Sequence, residues 1–210
     1  MIEILIADDH ALFREGLKQI LAKHSDLRVA DEAGNGEEVL VKVRSRSYDV
    51  VLLDISMPGQ SGWDVLAEIK CEQPGLPVLI LSMYPENQYA IRMLRAGAAG
   101  YVSKESVPDE LITAIRKVAG GGKHVSPAIA EKLAFEIEKN ADKLPHQLLS
   151  NREFQVMSML ASGKALPEIA DALHLSEKTI TTYRARIFEK LGVRNNVELT
   201  HYALQHKLVE

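Results

Sequence analysis

Acidic, hydroxyl and basic side chains follow separate apolar runs in the first half of the chain. They are Asp8 and Asp9 after residues 2–7, Asp54 after 50–53, Ser82 after 78–81 and Lys104 after 100–102. In an open parallel sheet, ligands collect at the carboxyl ends of the strands, so such runs can bring distant acids into one pocket. Crowded carboxylates need a cation, and oxygen ligands favour a hard ion such as Mg²⁺, which can hold a phosphoryl group over one acid. These residues therefore predict a phosphoryl-accepting site that uses magnesium.

The same residues also have an ordinary structural explanation. Taken singly, the three aspartates could cap loops, and Lys104 could be a salt-bridge partner with no further role. By spacing alone, Tyr101 fits a half-buried aromatic side chain of a strand. The functional interpretation depends on finding all of these residues in one order and spacing.

Short apolar runs alternate with stretches of helical spacing from residue 2 to about residue 120. Leu12, Leu17, Ile20 and Leu21 form one such helical stripe. The alternation predicts an α/β doubly wound fold, in which helices cover a five-stranded parallel sheet. The predicted strands are residues 2–7, 28–32, 50–53, 77–82 and 100–103.

The pattern changes after three consecutive glycines at residues 120–122. We predict an α/β domain over 1–120 and a linker over 121–146 with one short helix around Ile129, Leu133 and Ile137. The remaining residues, 147–210, have helical spacing only. They predict a small all-α domain.

Charge and composition limit the classes of function. The chain has 210 residues, a net charge of −4 and a single cysteine, Cys71, which excludes an intramolecular disulfide. The longest apolar stretches are far shorter than the roughly 20 residues of a membrane helix. The first residues are typical of a strand rather than a signal peptide, so we expect a cytoplasmic protein without a membrane span.

Residues 177–194 form a basic stretch inside this acidic chain, a pattern that solvated helix faces also show.

The basic stretch follows a short amphipathic segment, residues 168–175. Ser176 is a suitable cap for the next helix, and Ile180 and Ile187 share one buried face. The other faces mix small hydroxyls with cations, which suits a helix that enters the major groove of DNA.

These motifs resemble a known family. Asp8-Asp9, Asp54 followed by Met57-Pro58-Gly59, Ser82 and Lys104 resemble the receiver domain of a two-component response regulator. Leu149-Ser150-Asn151-Arg152-Glu153, Glu168-Ile169-Ala170, residues 175–180 (LSEKTI) and residues 190–195 (KLGVRN) resemble a LuxR-type helix-turn-helix. Together they are similar to the NarL/FixJ family over essentially the whole chain.

The resemblance implies a role for each receiver residue. Asp54 would accept a phosphoryl group from a sensor histidine kinase, and the protein would be a phospho-acceptor rather than a turnover enzyme. Mg²⁺ would be bound directly by Asp9 and Asp54, through water by Asp8, and by the backbone carbonyl of Ser56. Lys104, Ser82 and Tyr101 would sense the phosphoryl group and switch the domain.

The resemblance also implies an output. Phosphorylation would control binding to double-stranded DNA, homodimer formation and contact with RNA polymerase. The last helix, about residues 196–208, would pack two copies together, with Val197 and Leu204 either at that contact or in the core. The expected DNA-binding residues are Lys178, Thr179, Thr181, Thr182, Tyr183, Arg184, Ala185, Arg186 and Lys190.

Some positions depart from the family pattern. Leu166-Pro167 stand where the family often has Asn-Lys, and Thr181 and Tyr183 replace a frequent Lys and His. The operator sequence is therefore expected to differ, with Arg184 and Arg186 restoring the lost charge. Two other interpretations of the chain are an aspartyl-phosphate phosphatase and a receiver with an RNA-binding or protein-binding output domain.

Overall fold

The computed structural model describes residues 1–84, 86–105, 108–138 and 144–209. The chain divides into two compact units, Met1–Glu136 and Ile137–Glu210, and the boundary between them falls inside the predicted linker. No helix in the described ranges has both the length and the apolar character needed to cross a bilayer.

The first unit contains a five-stranded, all-parallel sheet with the strand order β2-β1-β3-β4-β5. Its strands are β1 (Ile2–Ala7), β2 (Leu27–Ala33), β3 (Val50–Asp54), β4 (Val78–Ser82) and β5 (Gly100–Ser103). Every residue of β3 and β4 is buried, which is why these central strands are continuous apolar runs rather than alternating ones. The predicted doubly wound fold is confirmed.

Five helices connect these strands and follow the last one. They are α1 (Ala11–Leu21), α2 (Gly36–Ser45), α3 (Gly62–Glu72), α4 (Glu86–Arg95) and α5 (Pro108–Ala119). On one side of the sheet, residues of α1 and α5 form a continuous core with residues of β1, β3 and β4.

The predicted apolar stripe of α1 is wrong at its first position. Leu12 is 89% exposed, whereas Phe13 is partly buried and packs against the core. Successive helical residues are about 100° apart, so Leu12 and Leu17 lie on different faces, while Phe13, Leu17 and Leu21 follow each other at intervals of four. The buried stripe therefore starts at Phe13.

The first part of the predicted linker is attached to the sheet. His124 pairs with β5: its N–H donates to the Ala99 carbonyl (2.9 Å) and its carbonyl accepts from the Tyr101 N–H (3.3 Å). A Cβ at Gly100 would lie 2.6 Å from the His124 oxygen, so this close approach requires glycine. The Lys123 ammonium donates to the Ala98 carbonyl (2.7 Å). This segment covers an edge strand that would otherwise expose unpaired backbone groups.

The predicted linker helix is confirmed as α6 (Pro127–Glu138). Ile129 is buried and Leu133 is half-buried. The side chain of Ile137, the third residue of the predicted pattern, and linker residues 139–143 lie outside the described part of the chain.

The second unit is helical, as predicted. A 3₁₀ turn (Pro145–Leu148) precedes α7 (Asn151–Ala161), α8 (Leu166–Leu173), α9 (Glu177–Leu191) and α10 (Asn196–Gln205). Helix α7 contacts the other three helices and is buried from Glu153 to Ala161. On α10, Val197 is 79% and Leu204 is 50% exposed, so the core role considered for these two residues is wrong.

Candidate functional site

The strand register brings the acidic residues together. Ala7 of β1 pairs with Leu53 of β3, so Asp8 and Asp54 are neighbours at the carboxyl end of the sheet. Both are almost fully buried, at 1% and 2% exposure. One side-chain ligand atom from each of Asp8, Asp9, His10 and Asp54 lies within 4.8 Å of the others. This cluster could hold a metal ion.

The loop after β3 shapes the pocket around Asp54. An added Cβ at Gly62 would lie 2.2 Å from the Asp54 backbone oxygen, so the start of α3 packs directly on the strand end. Ser61 caps α3 by accepting from the Asp64 N–H. The Ser56 N–H donates to Asp54 Oδ1 (3.2 Å).

Lys104 joins two of the acids. Its Nζ lies 2.7 Å from Asp54 Oδ2 and 2.6 Å from Asp8 Oδ2, and only 5% of its side chain is exposed. The Lys104 N–H also donates to the Ser82 carbonyl (2.8 Å). Burial would lower the pKa of Lys104, but Asp54 and Asp8 outweigh it and raise that pKa. Burial raises the pKa of Asp54, against the opposing effect of Lys104.

Ser82 and Tyr101 lie behind this pocket. Ser82 is fully buried, and its Oγ accepts from the Tyr84 N–H (3.0 Å). The Tyr101 hydroxyl donates to the Tyr84 carbonyl (2.7 Å). Tyr101 is 1% exposed, so the half-buried placement suggested by spacing is wrong, and burial raises the pKa of its phenol. Tyr84 thus contacts both residues through its backbone.

Two residues near the acids were missed in the sequence. His10 follows the acidic pair, and its Nδ1 lies 2.8 Å from Asp9 Oδ1 and 3.3 Å from Asp8 Oδ1. Arg14, one turn further along, donates from Nη1 to the Asp8 carbonyl (2.6 Å) and from Nε to Glu32 (3.1 Å). The direct succession Asp-Asp-His was a usable signal for His10. Arg14 reaches the site through its tertiary contact with Glu32 of β2, which no local sequence pattern indicates.

In the second unit, α8 and α9 form the predicted helix-turn-helix. Helix α8 ends at His174, which adopts the left-handed conformation (φ 52°). Ser176 caps α9, as predicted, by accepting from the Thr179 N–H (3.1 Å). At the start of α8, Pro167 occupies the first turn and no side chain caps the helix. Glu168 instead accepts from the Ala165 N–H (2.7 Å).

Helix α9 presents most of its predicted DNA-binding residues to solvent. Ile180 and Ile187 are fully buried on the opposite face, as predicted. The Thr181 and Thr182 hydroxyls donate to the carbonyls four residues earlier (2.9 and 3.0 Å), which leaves their methyl groups and lone pairs for an external partner. The exposed residues are Lys178, Thr181, Thr182, Ala185, Arg186 and Lys190; Thr179, Tyr183 and Arg184 are half-buried.

Three residues of that set also have partners within the protein. The Thr179 hydroxyl lies 2.8 Å from the Ser176 hydroxyl at the helix cap. The Arg184 guanidinium lies 6.0 Å from the centroid of the Phe188 ring. Lys190 Nζ lies 2.6 Å from Glu153 Oε2, a carboxylate that is only 4% exposed.

Comparisons with known proteins agree with both parts of this description. The receiver-domain model of response regulators matches residues 4–116, and the model of the LuxR family of bacterial regulatory proteins matches residues 147–203. The chain is 39% identical over 209 residues to the response regulator UvrY of Escherichia coli K12, covering 99% of this chain and 96% of that protein. This chain belongs to the NarL/FixJ family of response regulators. It therefore combines a receiver with a LuxR-type DNA-binding domain and regulates transcription.

Other response regulators match over the same length. The response regulator GacA of Pseudomonas protegens is 39% identical over 210 residues, covering 100% of this chain and 99% of that protein. RcsB of Salmonella enterica serovar Typhimurium, solved on the promoter rprA with the phosphomimetic BeF₃⁻, has a TM-score of 0.64 and 27% identity over 96% of this chain and 98% of RcsB. ChrA, from a heme-sensing two-component system, has a TM-score of 0.53 and 31% identity over 99% of this chain and 98% of ChrA.

Proposed function

We propose that Asp54 accepts a phosphoryl group from a sensor histidine kinase and that this modification controls sequence-specific DNA binding by α9. The observation that carries the proposal is the buried triangle of Asp8, Asp54 and Lys104 at the carboxyl end of the sheet. Its Lys104 ammonium lies within 2.7 Å of an oxygen of each acid. Lys104 compensates the carboxylates before the reaction and would bind the added phosphoryl group after it.

In the proposed reaction, an Asp54 carboxylate oxygen attacks the phosphorus of a phosphohistidine. The P–N bond breaks, the imidazole leaves, and Asp54 becomes an acyl phosphate. The carboxylate donor set suits Mg²⁺, which Asp9 and Asp54 would bind directly, Asp8 through water and Ser56 through its backbone carbonyl. The ion would supply charge neutralisation of the acids and the phosphoryl oxygens. The protein would act as a phospho-acceptor rather than a turnover enzyme.

The proposed switch runs from Ser82 to Tyr101. A phosphoryl group brings a charge of about −1.5 to −2 and three strong acceptor oxygens, which Lys104 and the Ser82 hydroxyl can bind. Ser82 accepts from the Tyr84 N–H (3.0 Å), and the Tyr84 carbonyl accepts from the Tyr101 hydroxyl (2.7 Å). A shift of Ser82 toward the phosphoryl group would therefore move the segment that holds Tyr101.

The proposed DNA interface is the exposed face of α9. Lys178, Thr181, Thr182 and Ala185 would lie nearest the bases, with Thr179 beside them at the helix cap. Tyr183, Arg184, Arg186 and Lys190 would lie near phosphates. If so, replacing Arg184 or Arg186 by alanine reduces the slope of log affinity against log salt by about 0.9 for each phosphate that the protein no longer neutralises. An unchanged slope would reject the phosphate contact of that arginine.

The proposed active form is a homodimer in the cytoplasm. The exposed Val197 and Leu204 of α10 offer an apolar surface to a second copy. A two-fold dimer would bind paired half-sites about one helical turn apart. Contact with RNA polymerase would follow from binding at promoters.

Selection of bound fragments from a random duplex DNA pool tests the proposal. Wild-type protein with Mg²⁺ and a small acyl phosphate is compared with Asp54→Ala treated alike. Enrichment of a two-fold symmetric site by the wild type alone supports the phosphorylation-controlled mechanism and gives the operator. Equal enrichment by both proteins refutes Asp54 as the control point. Enrichment by neither refutes control of duplex binding and favours an RNA-binding or protein-binding output.

A further inference from the structure

The Lys104 ammonium has an aromatic neighbour besides its two carboxylates. Its Nζ lies 4.7 Å from the centroid of the Phe13 ring, within the range of about 6 Å in which a cation is attracted to the negative face of an aromatic ring. The attraction is strongest where water is excluded, and Lys104 is 5% exposed. The Lys104 ammonium is therefore held by two different kinds of group, the carboxylates of Asp8 and Asp54 and the aromatic ring of Phe13.

Phe13 is fixed in this place by the start of α1. Its N–H donates to the His10 carbonyl (3.0 Å), and its ring packs against the receiver core. The preceding residue, Leu12, points its apolar side chain into solvent with 89% exposure. The core packing of Phe13 therefore anchors its side chain, while one face of the ring lies toward the Lys104 ammonium.

The carboxylate contacts of Lys104 cannot stay constant through the proposed reaction. Asp54 changes from a carboxylate to an acyl phosphate, and a metal ion held directly by Asp9 and Asp54 and through water by Asp8 would compete with the ammonium for the oxygens of Asp54 and Asp8. The Phe13 ring neither reacts, nor changes charge, nor binds the ion. Among the described contacts of the ammonium, the ring is therefore one that the proposed reaction does not alter chemically.

We propose that Phe13 is a positioning residue for phosphoryl transfer, holding the Lys104 ammonium through a cation–π interaction while its carboxylate partners change. The inference rests on the proposed phosphorylation of Asp54. It predicts that weakening the negative face of the ring lowers affinity for a phosphoryl group at Asp54. Because the ring is uncharged and has no atom that coordinates Mg²⁺, the affinity for Mg²⁺ alone should change by less than about twofold.

Trp63 provides the signal to measure both affinities in the full-length protein. It is the only tryptophan of the chain, it is 2% exposed, and it follows Gly62, which packs on the Asp54 backbone. The probes are Mg²⁺ alone, followed by beryllofluoride (BeF₃⁻) at saturating Mg²⁺, with the BeF₃⁻ complex standing in for the acyl phosphate.

The decisive series replaces Phe13 by phenylalanines with one, two and three ring fluorines, which weaken the negative face stepwise and nearly preserve the shape. We expect BeF₃⁻ affinity to fall with each fluorine, to fall about tenfold in Phe13→Leu, and to be retained in Phe13→Tyr. In a Lys104→Gln background the fluorine series should be flat, since the cation is gone.

Two outcomes would overturn the inference in distinguishable ways. If the wild type binds BeF₃⁻ but affinity does not respond to fluorination, Phe13 serves core packing only, even if Phe13→Leu melts earlier. If the wild type binds no BeF₃⁻ in the presence of Mg²⁺, or Asp54→Ala binds it equally well, the proposed phosphorylation of Asp54 fails and the role of Phe13 fails with it.

Discussion

Replacing Lys190 by methionine tests whether this residue stabilises the helix-turn-helix as well as contacting DNA. The substitution keeps the apolar stem and removes the ammonium that lies 2.6 Å from Glu153 Oε2. Glu153 also accepts from the Ser150 N–H (2.7 Å) and completes the cap of α7. Without Lys190, a nearly buried carboxylate would lose its only ion pair among the described residues.

The magnitude follows from burial. A hydrogen bond to a charged group contributes about 1.5–3 kcal/mol to stability, and an exposed ion pair only about 0–1. Here the carboxylate is 4% exposed and the lysine 39%. We therefore expect Lys190→Met to lower the free energy of unfolding of the second unit by about 1–2 kcal/mol, between these two limits.

The effect should depend on pH with a defined sign. Burial raises the pKa of Glu153, but Lys190 and Ser150 outweigh it and hold that pKa below its ordinary value. A carboxyl whose pKa is lowered by folding stabilises the protein at pH values above its unfolded pKa, about 4.3 for glutamate. The difference between wild type and Lys190→Met should therefore be constant near neutral pH and shrink as the pH falls through the folded pKa of Glu153.

The assay is hydrogen exchange of the α7 and α9 amides in the full-length protein, with DNA affinity measured over a salt series. Arg186→Met is the matched control, because Arg186 is exposed on the same helix. The control should keep wild-type protection of α7. If Lys190→Met also keeps it, the stabilising role of the pair is refuted. If the salt slope of DNA binding by Lys190→Met equals that of the wild type, the proposed contact between Lys190 and a DNA phosphate is refuted instead.

Three further substitutions have defined outcomes. Because burial raises the pKa of Asp54, Asp54→Asn should raise the melting temperature of the metal-free protein at pH 7 in calorimetry, and the gain should shrink as the pH is lowered; a lower melting temperature would contradict the assigned direction. Tyr101→Phe removes the bond to the Tyr84 carbonyl and should cost about 0.5–1.5 kcal/mol by urea unfolding of the receiver; an unchanged midpoint would show that the bond contributes nothing. Ser176→Ala removes the α9 cap and should cost about 1 kcal/mol in amide exchange of α9; full retention of protection would mean that the backbone finds another partner.

The strands and the acidic pocket follow from the sequence because both depend on short-range patterns. Buried parallel strands are continuous apolar runs, and the residue after each run falls at one edge of the sheet. Once β1 and β3 are neighbours, Asp8 and Asp54 must meet. The Ser176 cap and the Ile180 and Ile187 face of α9 are equally local, which explains why they too were predictable.

Other features depend on contacts that no local pattern records. The stripe of α1 is an exception: Leu12 and Phe13 are both apolar, but the interval of four from Phe13 to Leu17 and Leu21 distinguishes them locally. Full burial of Tyr101 requires the Tyr84 carbonyl from another strand end. The polar, glycine-rich segment before α6 has no strand alternation, and its pairing with β5 arises because that edge has free backbone groups.

The pairing of His124 with β5 has a consequence for building chimeric regulators. A receiver cut at residue 121 would lose the partners of the Ala99 carbonyl and the Tyr101 N–H, and the bare edge would be free to pair with another chain. A receiver carried through Ile129 would keep those bonds and the buried isoleucine. Successful exchange of output domains, in the laboratory or in evolution, should therefore use junctions beyond Ile129. The three glycines at residues 120–122, where the sequence pattern changes, would be the wrong place for the junction.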